Sequence, residues 1–355
     1  SYDELLAGVP GSLSYERDSA GRAIPLADQT RLDPVPGAGL RLTIDRDIQW
    51  MVERTLAAKV AEAKAAFGSA VVLDPSTGSI VALADVPHVN PDNPDGVAEE
   101  DRGSRAVSAP FEPGSVQKAL TMAAVVDSGA ARPNDVLTVP DSIVREGWPR
   151  PISDFAPHED WQLTLSGILA KSSNVGTIKA ADLISKRELR DYLVRFGYGS
   201  EPGTGMPGES AGLLDDEWSD LRRDTISYGQ GLSTTIVHLA SAYGALANDG
   251  LRIPPRLVEA VVENDGTERP VPQAEPVQVV SAKTARQVTR MLESVVGPGG
   301  TASNVVVDGY RIAGKTGTAQ RLDATGAQIG RTTSFAGYAP ADDPQLVVVV
   351  SLQDP

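Results

Sequence analysis

Residues 111–118 read FEPGSVQK and lead into the apolar segment ALTMAAVVDSG at 119–129. A Pro-Gly pair interrupts the preceding structure, so Ser115 is predicted at the N-terminal end of a helix. Residues three apart share one helix face, which places Lys118 beside Ser115. A lysine kept neutral by burial and by neighbouring cations can take the proton of a serine hydroxyl. The unpaired N–H groups at the helix start favour an oxyanion on the carbonyl that the serine attacks.

A second motif lies further along the chain, where Ser172 and Asn174 form an S-x-N within KSSNVGT. The segment before it has a helical pattern, so the motif is predicted at a helix end. There, a serine hydroxyl can relay protons and an asparagine amide can hold a peptide carbonyl.

A third motif, KTGT, begins at Lys315 within YRIAGKTGTAQ, which is typical of a strand. Lys315 supplies a positive charge and the hydroxyls of Thr316 and Thr318 supply donors, a set that suits a carboxylate. Gly317 leaves the strand surface open to another backbone. The N–H of Thr318 is predicted as a second oxyanion donor, paired with that of Ser115.

Each motif alone also fits an ordinary structural role. The first can be a helix cap with a solvated lysine, the second a turn, and the third an edge strand whose lysine opposes aggregation. Their order and rough spacing, however, are those of serine acyl-transferring enzymes of the penicillin-recognising type. Together they favour a nucleophilic serine.

The pattern outward from these motifs predicts an α+β fold. A strand begins at Gly39, a helix capped by Asp45 follows, and residues 69–86 form a hairpin. The middle of the chain is mostly helical, and strands return at 310–320, 332–340 and 345–352. Strands at both ends suggest an antiparallel sheet packed by the first helix. The predicted apolar positions of that helix are Ile48, Met51, Val52, Leu56 and Val60.

Composition excludes several classes of function. The net charge of −15 and the pI near 4.7 argue against nucleic acid as a partner, which rewards clustered Lys and Arg. The chain has no cysteine and three dispersed histidines, and it has no Gly-rich phosphate loop before a helix. We therefore expect neither a metal nor a cofactor.

From Gly39 to its last residue, the chain resembles the class B penicillin-binding proteins, the D,D-transpeptidases that crosslink peptidoglycan. The resemblance is carried by LTIDRDIQ, VVLDPSTGSIVALADVP, FEPGSVQK, AKSSNVGT, YGQGLSTT, AYGALANDG and AGKTGTAQ. It implies the penicillin-binding and serine β-lactamase-like fold, mainly an antiparallel five-stranded sheet flanked by helices, plus an all-helical subdomain. The implied domains are a transpeptidase domain at 39–355, with a mostly helical subdomain at about 113–300, and at 1–38 the remnant of an N-terminal non-catalytic domain.

The resemblance also implies roles for the motif residues. Ser115 is then the acylated nucleophile, Lys118 its general base and Ser172 a proton relay. Asn174 holds the substrate amide, while Lys315, Thr316 and Thr318 bind the substrate carboxylate, and Gly317 is a further substrate-binding residue. The implied ligands are D-Ala-D-Ala stem peptides and β-lactams.

The resemblance further implies a cellular setting. The implied partners are a membrane glycosyltransferase and divisome proteins. We expect an extracytoplasmic catalytic domain in the cell membrane, anchored by a single N-terminal segment outside this chain, and a septal role. Arg outnumbers Lys, and Ala, Gly and Val are abundant, which favours a high-GC, actinobacterial source.

The chain departs from the family pattern at Val116 and Gln117, where the nucleophile motif usually has Thr-Phe. We expect both side chains to point away from the catalytic pair. Four other functions stay open: a serine β-lactamase, a D,D-carboxypeptidase, a β-lactam sensor and a binding scaffold with little turnover. The first is disfavoured because the chain lacks an E-x-x-L-N context for deacylation by water.

Overall fold

Strands from the two ends of the chain form the central sheet of this computed structural model, which describes residues 2–24, 28–90, 92–93, 96–97, 102–148, 150–322 and 328–355. Its helices are α1 (Asp3–Ala7), α2 (Arg46–Ala63), α3 (Arg105–Ser108), α4 (Gln117–Asp127), α5 (Leu165–Lys171), α6 (Asn174–Ala181), α7 (Lys186–Arg195), α8 (Asp220–Ser227), α9 (Ile236–Ala247) and α10 (Ala282–Val296). Its strands are β1 (Ser12–Tyr15), β2 (Gln29–Leu32), β3 (Gly39–Leu42), β4 (Phe67–Leu73), β5 (Ile80–Val86), β6 (Val136–Val139), β7 (Ser142–Ile143), β8 (Ile152–Ser153), β9 (Trp161–Thr164), β10 (Leu251–Arg252), β11 (Val258–Val262), β12 (Glu268–Pro270), β13 (Val277–Gln278), β14 (Ala313–Leu322), β15 (Gln328–Ala339) and β16 (Leu346–Gln353).

The central sheet has five strands in the order β14-β15-β16-β4-β5, and every neighbouring pair is antiparallel. The predicted hairpin at 69–86 and the three predicted C-terminal strands are confirmed. Side chains alternate between the two faces, as strand geometry requires. On β16, Val347 and Val349 face the main core, whereas Leu352 joins a smaller cluster on the opposite face.

Helix α2 covers that opposite face of the sheet. Its N-cap Asp45 accepts hydrogen bonds from two backbone N–H groups of the first turn, which confirms the predicted start. Leu56 and Val60 pack on the sheet, but Met51, another of the predicted apolar positions, is 55% exposed. The buried residues repeat at intervals of four, and Met51 lies about 100° around the helix from Val52.

The other face of the sheet contacts α9 and α10. Every residue of α9 is buried, because the helix packs against the sheet and against its neighbours α3 and α10. Helix α4 is buried from Gln117 to Val126 and contacts α5, α6, α7, α8 and α10. It is the central element of the mostly helical segment between residue 113 and the start of β14, which also contains short strand pairs.

The N-terminal part of the chain makes its own small structure. Strands β1 and β2 pair with each other, and Val9 and Val35 exchange backbone hydrogen bonds of 2.8 and 2.9 Å. Strand β3, predicted from Gly39, pairs with β11 and not with the central sheet. No helix among the described residues combines the length and apolarity needed to cross a membrane.

Candidate active site

Ser115 lies in a short 3-10 helix, Gly114–Val116, that continues directly into α4. Its predicted position at a helix start is therefore confirmed. Gly114 has a left-handed φ of 58°, and a Cβ added there would lie 2.7 Å from the carbonyl oxygen of Thr318. The N–H of Gly114 donates to the carbonyl of Gly229 at 2.9 Å. The nucleophile candidate is thus held between β14 and the loop 228–231.

Lys118 is fully buried one turn further along α4. Its Nζ donates to the Ser172 carbonyl at 2.6 Å and lies 3.3 Å from the Ser172 hydroxyl. Among the described residues, the Ser115 hydroxyl has no hydrogen-bond partner. Burial, reinforced by the nearby charge of Lys315, holds the pKa of Lys118 well below its usual range, and Asp154 partly opposes this. The amine therefore has the electrostatic environment of a neutral base.

Ser172 connects the two buried lysines. It is the C-cap of α5, with a left-handed φ of 56° that turns the chain into α6. Its hydroxyl lies 3.0 Å from Lys315 Nζ and 3.3 Å from Lys118 Nζ. Burial lowers the pKa of Lys315 to about 7. In the order Lys118, Ser172, Lys315, the three side chains form a continuous chain of polar contacts through which a proton can move.

Asp154 fixes the S-x-N motif, although the sequence analysis did not identify it. Its carboxylate accepts from the Ser173 hydroxyl at 2.6 Å and from the backbone N–H groups of Asn174 and Val175 at 2.5 and 3.0 Å. A carboxylate at a helix N-terminus satisfies unpaired N–H groups and matches the helix dipole. The side chain of Asn174 donates to the Ser153 carbonyl at 3.2 Å.

A histidine covers the other side of this carboxylate. His158 Nε2 lies 3.1 Å from Asp154, and its ring stacks on Trp161 with centroids 3.4 Å apart. Burial opposes protonation, but the contacts with the Glu159 carbonyl and with Asp154 raise the pKa of His158. The loop before β9 is therefore tied to the S-x-N motif by charge and by stacking.

The KTGT residues lie on β14, and Thr316, Gly317 and Thr318 line the same cleft as Ser115. The Thr316 hydroxyl donates to Thr301 at 3.1 Å, and Lys315 Nζ donates to the Thr316 carbonyl at 3.0 Å. Thr318 is exposed, while Gly317 is buried against the chain near Ser115. The cleft, about 1040 Å³ in volume, also contains Ser115, Ser172 and Asn174.

Six of the eight predicted site residues line this cleft, and the two lysines, Lys118 and Lys315, are fully buried behind it, each in contact with Ser172. Val116 and Gln117 are both buried and neither lines the cleft, in agreement with the expectation from sequence. The amide of Gln117 has no hydrogen-bond partner among the described residues. In the whole of the described part of the chain, no group of three or more His, Cys, Asp or Glu side chains is arranged to hold a metal ion.

Two further groups of the site lay outside the sequence prediction. Asp154 follows the strand β8 but carries no motif of its own. Glu112 is part of the quoted FEPGSVQK, yet its role depends on Gly231, whose N–H donates to its carboxylate at 2.7 Å. The sequence signal that could have identified Glu112 is a carboxylate three residues before the nucleophile.

Comparison with known proteins identifies the family. The penicillin binding protein transpeptidase domain matches residues 68–355. The penicillin-binding protein PbpB of Mycolicibacterium smegmatis is 39% identical over 100% of this chain and 56% of its own length. The peptidoglycan D,D-transpeptidase FtsI of Escherichia coli is 36% identical over 100% of this chain and 58% of its own length.

Solved structures agree with these relatives. Penicillin binding protein 3 from Mycobacterium tuberculosis, complexed with aztreonam, has a TM-score of 0.86 and 36% identity, covering 99% of this chain and 82% of that one. A peptidoglycan synthetase from Bifidobacterium adolescentis has a TM-score of 0.84 and 33% identity, covering 100% and 64%. This chain spans a little more than half the length of the curated relatives PbpB and FtsI. It belongs to the class B penicillin-binding proteins, whose transpeptidase domain it carries.

Proposed function

We propose that the chain is a peptidoglycan D,D-transpeptidase that works through an acyl-enzyme on Ser115. The observation that carries the proposal is the contact chain from Lys118 through Ser172 to Lys315, whose middle member lines the same cleft as Ser115. Together with Ser115 as the nucleophile, this contact chain supplies a base with a lowered pKa and a relay, which are the components that nucleophilic acyl transfer needs. Membership of the family raises the same expectation.

In the first stage, the Ser115 hydroxyl attacks the carbonyl between the two D-alanines of a donor stem peptide. Lys118, neutral because its pKa is low, takes the hydroxyl proton, and Ser172 passes a proton toward the leaving amine. The N–H groups of Ser115 and Thr318 are the proposed oxyanion donors. D-Alanine leaves, and an ester to Ser115 remains.

The donor is proposed to lie along the exposed edge of β14, which is the outer strand of the sheet. Its carboxylate would meet Lys315 and the hydroxyls of Thr316 and Thr318, and its amide would meet Asn174. Gly317 lets β14 pack closely on the segment around Ser115, because a Cβ there would lie 2.3 Å from the Ser334 hydroxyl and 2.9 Å from the Pro113 carbonyl. β-Lactams, which resemble the donor, are proposed to acylate the same serine.

We also propose the septum as the place of action, because PbpB and FtsI are the named relatives. In that setting the partners are a membrane glycosyltransferase and divisome proteins, and an N-terminal anchor outside this chain holds the domain at the outer face of the cell membrane. Residues 39–355 are proposed as the transpeptidase domain and residues 1–38 as the end of a preceding domain.

The test is intact-protein mass spectrometry after incubation with benzylpenicillin, with the adduct mapped by peptide. We expect one persistent adduct on Ser115 and none in Ser115→Ala. Ser153→Ala is a matched control, since this serine also lines the cleft but its hydroxyl makes no hydrogen bond among the described residues. An adduct that persists in Ser115→Ala would contradict the assignment, and rapid drug turnover would indicate a β-lactamase.

A further inference from the structure

A side pocket of about 380 Å³ opens beside the cleft, between α8 and the loop 228–231. It shares Trp148, Gln230 and Gln320 with the lining of the cleft, so the two spaces are continuous. The candidate donor groups on β14 do not require this pocket. Transpeptidation needs a second peptide, and its attacking group must reach Ser115 from a place that the donor leaves free.

Glu112 supplies the negative charge of the side pocket. One carboxylate oxygen accepts the Gly231 N–H at 2.7 Å, and the other has no hydrogen-bond donor among the described residues. Burial raises the pKa of Glu112, while the Gly231 N–H and the charge of Arg222 oppose this. A half-buried carboxylate with one open oxygen is stabilised by an arriving cation. Because Glu112 is three residues before Ser115, that cation would lie close to the nucleophile.

Arg222 supplies the positive charge of the same pocket. Its Nη2 pairs with Asp215 at 2.7 Å, and its Nε is buried without a hydrogen-bond partner among the described residues. A guanidinium has five N–H donors, and Asp215 engages only one end of it. The side chain is 34% exposed, so it can also meet a ligand. The pocket thus presents a carboxylate and a guanidinium together, a pair that matches an ammonium next to a carboxylate.

We propose that the side pocket binds the acceptor of the transpeptidation, through an amino-acid end in which a free amino group neighbours a carboxylate. Glu112 holds the ammonium and Arg222 holds the carboxylate. This inference rests on the proposed function, because it assigns the second substrate of the same reaction. Glu112 is then a binding residue for the acceptor and takes no part in forming the acyl-enzyme.

The step that follows is aminolysis of the ester. The bound ammonium first loses one proton to solvent. Its nitrogen then forms a bond to the acyl carbonyl carbon, the bond from that carbon to Ser115 Oγ breaks, and the remaining surplus proton passes to Oγ. The products are the amide crosslink and the free serine.

The experiment measures the product ratio, which is the amount of amide relative to the amount of acid formed from the acyl-enzyme. The 355-residue chain is acylated with a thioester analogue of an acyl-D-alanyl donor, and products are separated by mass spectrometry over a range of acceptor concentrations. D-Alanine carries both charges, D-alaninamide carries only the ammonium, and D-lactate carries only the carboxylate. The product ratio counts only molecules that have already acylated, so misfolded protein does not affect it.

For Glu112→Gln we expect the half-saturating concentration of both amines to rise about tenfold or more, because one charge-assisted hydrogen bond is lost. The glutamine oxygen can still accept the Gly231 N–H, so the loop is kept. For Arg222→Gln we expect a similar rise for D-alanine alone. The control is Asp220→Asn on the same helix, whose side chain is 88% exposed and which should leave the ratio unchanged.

The outcomes separate the two proposals. A wild-type chain that does not acylate contradicts the proposed function itself. Two results overturn the acceptor site in a chain that does acylate: a product ratio that responds equally to D-lactate and D-alanine, or a ratio that is the same in Glu112→Gln and wild type. Either result leaves the nucleophile assignment standing.

Discussion

Replacing Asp154 by asparagine should loosen the S-x-N motif and change the pH dependence of acylation together. The side chain is only 5% exposed, so solvent screens its contacts little. It accepts three hydrogen bonds at the start of α6 and pairs with His158. Asparagine keeps one acceptor oxygen for the backbone N–H groups of Asn174 and Val175. Its amide nitrogen, however, would face the Ser173 hydroxyl and His158 without a charge.

The expected cost follows from these contacts. A hydrogen bond to a charged group contributes about 1.5–3 kcal/mol, against about 1 kcal/mol for a neutral one. With two backbone contacts weakened and the contacts to Ser173 and His158 changed, the free energy of unfolding should fall by about 2–4 kcal/mol. For a chain of this size, that corresponds to a decrease in Tm of roughly 3 to 5 °C.

The electrostatic effect has a definite sign. The charge of Asp154 raises the pKa of Lys118 against burial and against Lys315. Asp154→Asn therefore lowers that pKa further, and the base stays neutral to lower pH. The acid limb of the acylation rate should move to lower pH, even though the rate at its plateau falls as Ser172 and Asn174 lose their support.

The assay is stopped-flow or gel-based acylation by a fluorescent penicillin between pH 5 and 9, alongside thermal unfolding. Asp160→Asn is the control, because Asp160 lies on the same loop and is exposed. An unchanged Tm, or an acid limb that moves to higher pH, would refute this account of Asp154.

Three further predictions concern single substitutions elsewhere in the chain. Lys315→Met removes a cation that lowers the pKa of Lys118. The acid limb of the acylation rate should therefore move to higher pH, the opposite of the shift expected for Asp154→Asn. A shift to lower pH would contradict the coupling between the two lysines. Gly114→Ala should slow acylation by about a hundredfold or more, since its φ is left-handed and its Cβ would lie 2.7 Å from a backbone oxygen of β14. Gly129→Ala, also left-handed but with open space around its Cβ, should acylate normally. Leu56→Ala, in the cluster beneath α2, should lower the free energy of unfolding by about 2–5 kcal/mol in urea titrations. A comparable loss of acylation in the folded protein would show that this face of the sheet also supports the site.

The parts of the site that sequence predicts are those fixed by local geometry. Ser115 precedes a helix, and a residue three positions later must share its face. Lys315 lies in YRIAGKTGTAQ, a segment typical of a strand. These inferences need only the period of one element. The helix α2 shows where such periods fail, since Met51 fits an apolar spacing yet faces away from the sheet.

Tertiary placement decides the rest. Asp154 acts on residues about 20 positions away, and Glu112 meets a loop 119 positions away, so no local pattern records either contact. Lys118 illustrates the same limit within a predicted motif. The sequence places it beside Ser115, but the position of its amine is set by the Ser172 carbonyl, which a left-handed turn between α5 and α6 presents to it.

The two buried lysines give the proposed reaction an order. Burial lowers the pKa of Lys315 to about 7, so near neutral pH only part of the population carries its charge. A carboxylate bound at Lys315 favours the charged form and takes up a proton at pH above 7. The restored charge lowers the pKa of Lys118 further, through the same interaction that lowers it already. Binding of the donor carboxylate would therefore hold Lys118 more firmly in the neutral form in which it acts as a base.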